Sequence, residues 1–183
     1  MNAVVVYESM YGNTHLIADA VAKGLGDGSG GDGEVRVVAV DDAEPDRLRH
    51  ADIVVVGGPT HVHGMSREST RKAAIEAAEK PESGLTLDPD AEGPGLRDWF
   101  DSVGELGGAA AAFDTRIDAP AAITGRASKG IAKKLRHLGC TLVVEPESFL
   151  VTKESHLEPD EEARARAWGE GLRVAMRHET MTP

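Results

Sequence analysis

The chain has 183 residues and carries Lys+Arg 20 against Asp+Glu 31, a formal charge of −11. That fits one ordinary domain and argues against nucleic acid or an anionic membrane as a partner, since either needs a basic face. Hydrophobic residues make up 40% but aromatics only 4%, so the core must be built from Val, Ala, Leu and Ile, and the single cysteine, Cys140, excludes an internal disulfide, a thiolate zinc cage or an iron–sulfur cluster held by this chain alone.

Residues 1–7 lack a signal-peptide pattern and no window reaches the ~18 apolar residues of a membrane span, so the expected setting is the cytoplasm. Short apolar runs then alternate with segments of helical spacing. The first run, 3–7, reads Ala-Val-Val-Val-Tyr and precedes a helix over 14–25. A second strand at 35–40, a short helix at 46–50 and a third strand at 53–57 follow. Next come a helix over 66–79 with Ser66 as its N-cap, a helix over 96–106, a strand at 109–113 and a helix over 128–138. A fifth strand at 141–145 continues as an edge segment after Pro146. A last helix over 160–178 carries acids early and bases late, which suits its dipole. Runs that are apolar throughout, without alternation, belong to strands buried on both faces. Strand–helix alternation implies parallel pairing through right-handed crossovers. The expectation is one α/β domain over 1–183, a three-layer, doubly wound, five-stranded parallel sheet.

Two segments interrupt this rhythm. Residues 26–33 read Gly-Asp-Gly-Ser-Gly-Gly-Asp-Gly, a flexible linker; Asp27 and Asp32 lack the ligand spacing of a calcium loop. Residues 80–95, with Pro81, Pro89 and Pro94, form an inserted loop between the third and fourth strands. Such a length is usually functional or disordered, and here it falls beside the strand ends.

Three loops carry the chemistry. After the first strand, Ser9-Met10-Tyr11-Gly12-Asn13-Thr14 brings backbone N–H groups, hydroxyls and a helix N-terminus onto one anion, with Gly12 allowing close approach. No lysine is present, and neither a Walker A nor a Gly-x-Gly-x-x-Gly pattern occurs, so a terminal monophosphate held by neutral donors fits best. The plainer alternative is a turn in which Asn13 or Thr14 merely caps the helix. The third strand runs into Pro59-Thr60-His61-Val62-His63-Gly64-Met65. In an extended segment His61 and His63 would face one side, and with no third ligand identifiable by spacing no metal is expected. The fourth strand ends in Phe113-Asp114-Thr115-Arg116, where Phe113 could equally be core and Arg116 a surface ion pair. Trp99 belongs to an amphipathic helix that the insertion could swing toward the strand ends.

The first loop resembles the phosphate loop of flavodoxins, Thr/Ser-x-Thr/Ser-Gly-x-Thr/Ser, with Tyr11 in the third position as in long-chain quinone-reductase relatives. Gly57-Gly58-Pro59-Thr60 resembles the second flavin loop of flavodoxins and WrbA-like NAD(P)H:quinone oxidoreductases, and Pro146-Glu147-Ser148-Phe149 is similar to a stretch in flavodoxin-like chains. The resemblance implies sheet order 2-1-3-4-5 and FMN in the cleft at the C-terminal ends of the first and third strands. The cofactor contacts would come from Ser9, Met10, Tyr11, Gly12, Asn13 and Thr14, from Pro59, Thr60, His61, Val62, His63 and Gly64, and from Phe113, Asp114, Thr115 and Arg116. It further implies an electron carrier serving a redox partner protein or a small-molecule electron acceptor. The alternatives are an FMN-dependent NAD(P)H:quinone-type oxidoreductase, usually assembled as a homo-oligomer, and a flavin-free interaction module on the same fold.

Overall fold

Strand β1 (Ala3–Tyr7) and strand β3 (Ile53–His61) send alternate side chains to opposite faces of one parallel sheet. Val4, Val6, Val54 and Val56 enter one core; Ala3, Val5, Tyr7, Ile53 and Val55 enter the other. Both faces are apolar because both are covered, which is why the runs show no alternation. The computed structural model describes residues 1–27 and 33–179. The linker expected at 26–33 lies largely outside the described residues.

The sheet follows the order β2 (Val35–Ala39), β1, β3, β5 (Ala109–Ile117), and then an edge position shared by β6 (Thr141–Leu142) and β7 (Glu147–Val151). All these pairs are parallel, so the expected order is found. On one face lie α2 (Pro45–Arg49), α4 (Leu96–Ser102) and α6 (Ala127–His137), contributing Leu48, Trp99, Phe100, Ile131 and Leu135 to the core. On the other, α1 (Asn13–Gly26) and α7 (Glu161–Glu179) pack through Ile17, Val21, Ala165 and Leu172. These two helices approach so closely that a Cβ on Gly24 would overlap the Arg166 carbonyl and one on Gly169 the Val21 carbonyl. The remaining elements are β4 (Gly64–Met65), α3 (Glu68–Ala78) and α5 (Ala121–Thr124).

Several details differ from the sequence reading, among them β5, which runs to Ile117 instead of ending at 113. Strand β3 runs on past residue 57 to His61 because Gly57 and Gly58 make room for core side chains: a Cβ would overlap the Phe113 ring at the first and Leu96 at the second. The fifth strand is broken. Between the pairs Ala110↔Leu142 and Phe113↔Glu147, residues 143–146 on the edge face only 111–112 of β5, and Pro146, which has no N–H to donate, sits in that excess length. Helix α4 stops at Ser102, short of 106, because Gly104 turns left-handed at φ 75°. Ser66 does not cap α3. Arg67 holds that position, its N–H donating to the Thr70 hydroxyl, while the Ser66 hydroxyl donates to the buried carboxyl of Glu8.

Candidate functional site at the C-terminal edge of the sheet

The loops after β1, β3 and β5 meet at one end of the sheet. Gly12 starts α1 in the left-handed region at φ 86°, and its N–H donates to the Ser9 hydroxyl at 3.1 Å. No side chain caps this helix and no acidic residue occupies its first turn, so its first N–H groups are left to the loop, with the buried carboxylate of Asp88 close by, 3.9 Å from where a Cβ on Gly12 would stand. The alternative of a self-capped turn therefore does not hold. Thr14 is buried, with its hydroxyl 2.7 Å from that of buried Thr115 on β5. The Asn13 amide donates to the Ser155 carbonyl at 2.8 Å, drawing the loop before α7 onto the site. Tyr11 points its hydroxyl elsewhere, to the Ala74 carbonyl of α3 at 2.9 Å, and burial raises its pKa.

The insertion braces this loop from outside. Asp88 N–H donates to the Met10 carbonyl at 2.9 Å, and Leu87 and Ala91 pack with Met10, Tyr11 and Ala74. Asp88 lies 3.3 Å from His15, which stacks on Tyr7 with centroids 4.2 Å apart, and the Tyr7 hydroxyl donates to Asp90 at 2.8 Å. Burial, then the Asp90 carboxylate, raise the Tyr7 pKa. Among the described residues, His15, Asp88 and Asp90 are one group whose ligand atoms approach within 4.8 Å. Neither His61 nor His63 belongs to it.

Beyond Thr60 the chain does not stay extended. Val62 at φ 45° and His63 at φ 72° form a tight left-handed turn, and β3 pairs antiparallel with β4 through His61↔Gly64. Thus His61 and His63 do not share the face an extended strand would give them. The turn rests on Gly125, φ 76°, where a Cβ would overlap the His63 backbone. Burial, reinforced by the Arg71 charge, lowers the His61 pKa. Behind the loops, Thr60 donates to Asp114 at 3.1 Å, and the first N–H groups of α6 donate to both: Ala127 to Thr60 at 2.8 Å, Ser128 to Asp114 at 2.7 Å.

Ser9, Met10, Tyr11, Asn13, Thr14, Pro59, Thr60, His61, Thr115 and Arg116 line one cavity of about 140 Å³, with Gly12 at its edge as the helix N-cap. A neighbouring cavity of about 230 Å³ shares Thr60 and Arg116 and adds Val62 and His63. Gly64 opens on a third space. Phe113 and Asp114 line none of the three. Phe113 is fully buried against Phe149 and Trp168, with centroids 6.0 and 6.2 Å away. Trp99 likewise lies in the core, 6% exposed. Sequence reasoning missed Ile117, Val151 and Ser155, which close the first cavity, and Ile123, which faces the second; no local pattern marks any of them. It also offered Arg116 a surface ion pair. Instead its Nη1 donates to neutral oxygens of Ala119 and Thr124, and its buried Nε has no partner.

An uncapped helix N-terminus, the hydroxyls of Ser9 and Thr14, and a cation with no carboxylate partner among the described residues form a donor set suited to an anion. The adjoining cavity, bordered by exposed Val62, Ile117 and Ile123, suits a flat apolar body. Fold and site together define an α/β domain of the doubly wound type with an uncapped helix N-terminus at the switch point of its sheet.

The flavodoxin family model matches residues 5–97, and the chain belongs to the flavodoxin family, whose members are electron-transfer flavoproteins. A search of curated sequences gives no match. Among solved structures, the chain is similar to a flavodoxin from the domain Archaea at 22% identity and TM-score 0.62, covering 97% of this chain and 100% of that one. It is similar to flavodoxin 1 from Bacillus cereus at 20% identity and TM-score 0.61, covering 97% and 98%. A flavodoxin, WrbA-like protein from Agrobacterium tumefaciens aligns at 21% identity and TM-score 0.57, covering 97% and 98%. No helix among the described residues is long and apolar enough to cross a membrane.

Proposed function

We propose that this protein binds FMN, with the phosphate at the N-terminus of α1 and the ring in the adjoining cavity between the β3–β4 turn and the end of β5, and that it carries electrons to a redox partner. The observation that carries this reading is the cavity itself: buried Thr14 and Thr115 hydroxyls, an uncapped helix and a partnerless Arg116 Nε converge where a phosphate would be held. The residues fit the group. Ser9, Thr14 and the first N–H groups of α1 would bind the phosphate, Arg116 would offset its second negative charge, and Asn13 would keep the Ser155 loop closed over it. When bound, FMN supplies one- and two-electron chemistry; the chain supplies placement and exclusion of water. The turn at Val62 and His63 would border the ring, in place of the aromatic pair common in flavodoxins. Because burial lowers its pKa, His61 would be a neutral hydrogen-bonding group near pH 7 and not a counter-charge.

Exposed Val62, 81% accessible, with Ile117 and Ile123, gives the ring's surroundings an apolar rim suited to transient contact with a partner. The test is to purify the protein, release any chromophore and measure its mass, then follow anaerobic photoreduction and reoxidation by cytochrome c. FMN at one per chain with reversible cycling is expected. Failure to acquire flavin even after incubation with FMN would overturn the proposal and leave the flavin-free module.

A further inference from the structure

On the far side of the β3–β4 turn lies a cavity of about 540 Å³, the largest of those described, lined by His63, Arg97, Phe100, Arg126, Lys133 and Lys134 among others. Its charge is opposite to that of the chain. No carboxylate lines it, although the protein as a whole carries −11. Lys134 pairs with Asp101 at 2.7 Å, but Arg97, Arg126 and Lys133 have no carboxylate partner among the described residues. Arg97 donates only to the carbonyls of Met65 and Ser66, and Arg126 only to the Ser148 hydroxyl and the Pro146 carbonyl. The Lys133 ammonium has no hydrogen-bond partner there, and His137 adds its ring, with Nδ1 donating to the Lys133 carbonyl at 2.8 Å.

In a chain with more acids than bases, ordinary surface statistics would pair these cations. Three positive groups without carboxylate partners around one concavity instead produce a focused positive potential that favours an anion there. The rest of the lining is different in kind. Phe100, Met65 and Leu138 supply the apolar part of the lining, and Gly130 on α6 lets the Met65 side chain lie within 3.3 Å of where a Cβ would stand. Apolar and cationic lining together with a volume in the range of small-molecule sites describe a ligand with a flat organic body and more than one negative charge.

We propose that the cavity between the β4 turn, α4 and α6 binds a nucleotide through its diphosphate, with the base on Phe100 and the phosphates on Lys133, Arg97 and Arg126. The site shares His63 with the cavity assigned to the flavin ring, so a bound nucleotide would adjoin the redox centre, yet its binding does not require flavin.

The experiment is calorimetric titration of the purified protein, with and without added FMN, using ADP, inorganic pyrophosphate and NADPH as probes at low ionic strength. Saturable one-to-one ADP binding is expected, with pyrophosphate at least about tenfold weaker because it lacks the apolar body. Lys133→Glu should weaken ADP by about tenfold or more, the loss of a charge-assisted contact. Lys129→Glu makes the same change of net charge on an exposed residue of the same helix outside the cavity, and should alter binding by less than about twofold. NADPH competing with ADP would assign the site to dinucleotides, and NADPH failing to compete would assign it to free nucleotides. No saturable ADP binding, pyrophosphate binding as tightly as ADP, or equal losses in the two lysine variants would each overturn the site. ADP binding to protein that takes up no FMN would leave this site standing while the flavin assignment fell.

Discussion

Thr14→Val keeps the shape of the side chain and removes one hydroxyl, which in the flavin-free protein sits 2.7 Å from the Thr115 hydroxyl. Two effects follow and they can be separated. The first is structural: Thr115 is 5% exposed, so its hydroxyl loses a partner it cannot replace from solvent, at about 1 kcal/mol or about 2–4 °C in Tm for a domain of this size. The second concerns the ligand. A hydroxyl donating to a phosphate contributes about 1.5–3 kcal/mol, so FMN should bind roughly 10- to 150-fold more weakly, while riboflavin, which has no phosphate, should bind as before. Thr115→Val should show the structural loss with a smaller effect on FMN, because that residue orients Thr14. The double variant should be more stable than the summed single losses imply, since it leaves neither hydroxyl stranded. Fluorescence titration of flavin-free protein with both flavins, together with thermal melts of all four proteins, reads every arm. Equal losses for FMN and riboflavin in Thr14→Val would refute the assignment of Thr14 to the phosphate.

Arg116→Gln should weaken FMN by about tenfold or more and reduce the salt dependence of its binding, as measured by titration across ionic strengths, because the variant removes the one cation lining the phosphate cavity. Gly57→Ala should destabilise by about 1–3 kcal/mol or prevent folding, since its Cβ would overlap the Phe113 ring, and Gly57→Ala/Phe113→Leu should recover part of the loss in denaturant melts. Two groups give the unliganded protein opposite pH limbs. Burial raises the Glu8 pKa above 4.5, so the unfolded chain releases this proton first and stability falls as pH rises from about 4.5 to the folded value. Glu8→Gln, whose amide can still accept from Leu96 N–H and donate to Ser66, should flatten that limb. Burial lowers the His61 pKa below 6.5, so the unfolded chain takes up a proton first and stability falls as pH drops through about 6.5, a limb His61→Gln should remove. Melts from pH 4 to 8 check both.

What could be read from the sequence was whatever followed from local pattern. Unbroken apolar runs placed the sheet strands because both faces of the sheet are covered, and the hydroxyl-and-glycine loop marked the uncapped start of α1 because its residues are neighbours in the chain. What escaped depended on partners distant in the chain. Gly57 and Gly58 read as breakers, yet they remain in β3 because Phe113 and Leu96 fill the space a Cβ would take. The turn at Val62 and His63 has none of the Asn-Gly signals of a left-handed hairpin and is held by its seat on Gly125. Ser66 looked like a cap but serves a buried carboxyl 58 positions away, and Tyr11, in the third position of the loop, gives its hydroxyl to a carbonyl 63 positions away. Asp114 read as a loop contact, yet its carboxylate holds Thr60 and the start of α6. The basic cavity was hidden by the acidic average, because net charge says nothing of where α4, α6 and Arg126 gather their cations.

The phosphate at the start of α1 is tested most directly by titrating flavin-free protein with FMN and with riboflavin in the same buffer. If the uncapped helix, Thr14 and Arg116 hold the phosphate, FMN binds at least about a hundredfold more tightly than riboflavin, the sum of two or more charge-assisted contacts. Riboflavin binding as tightly as FMN would contradict it.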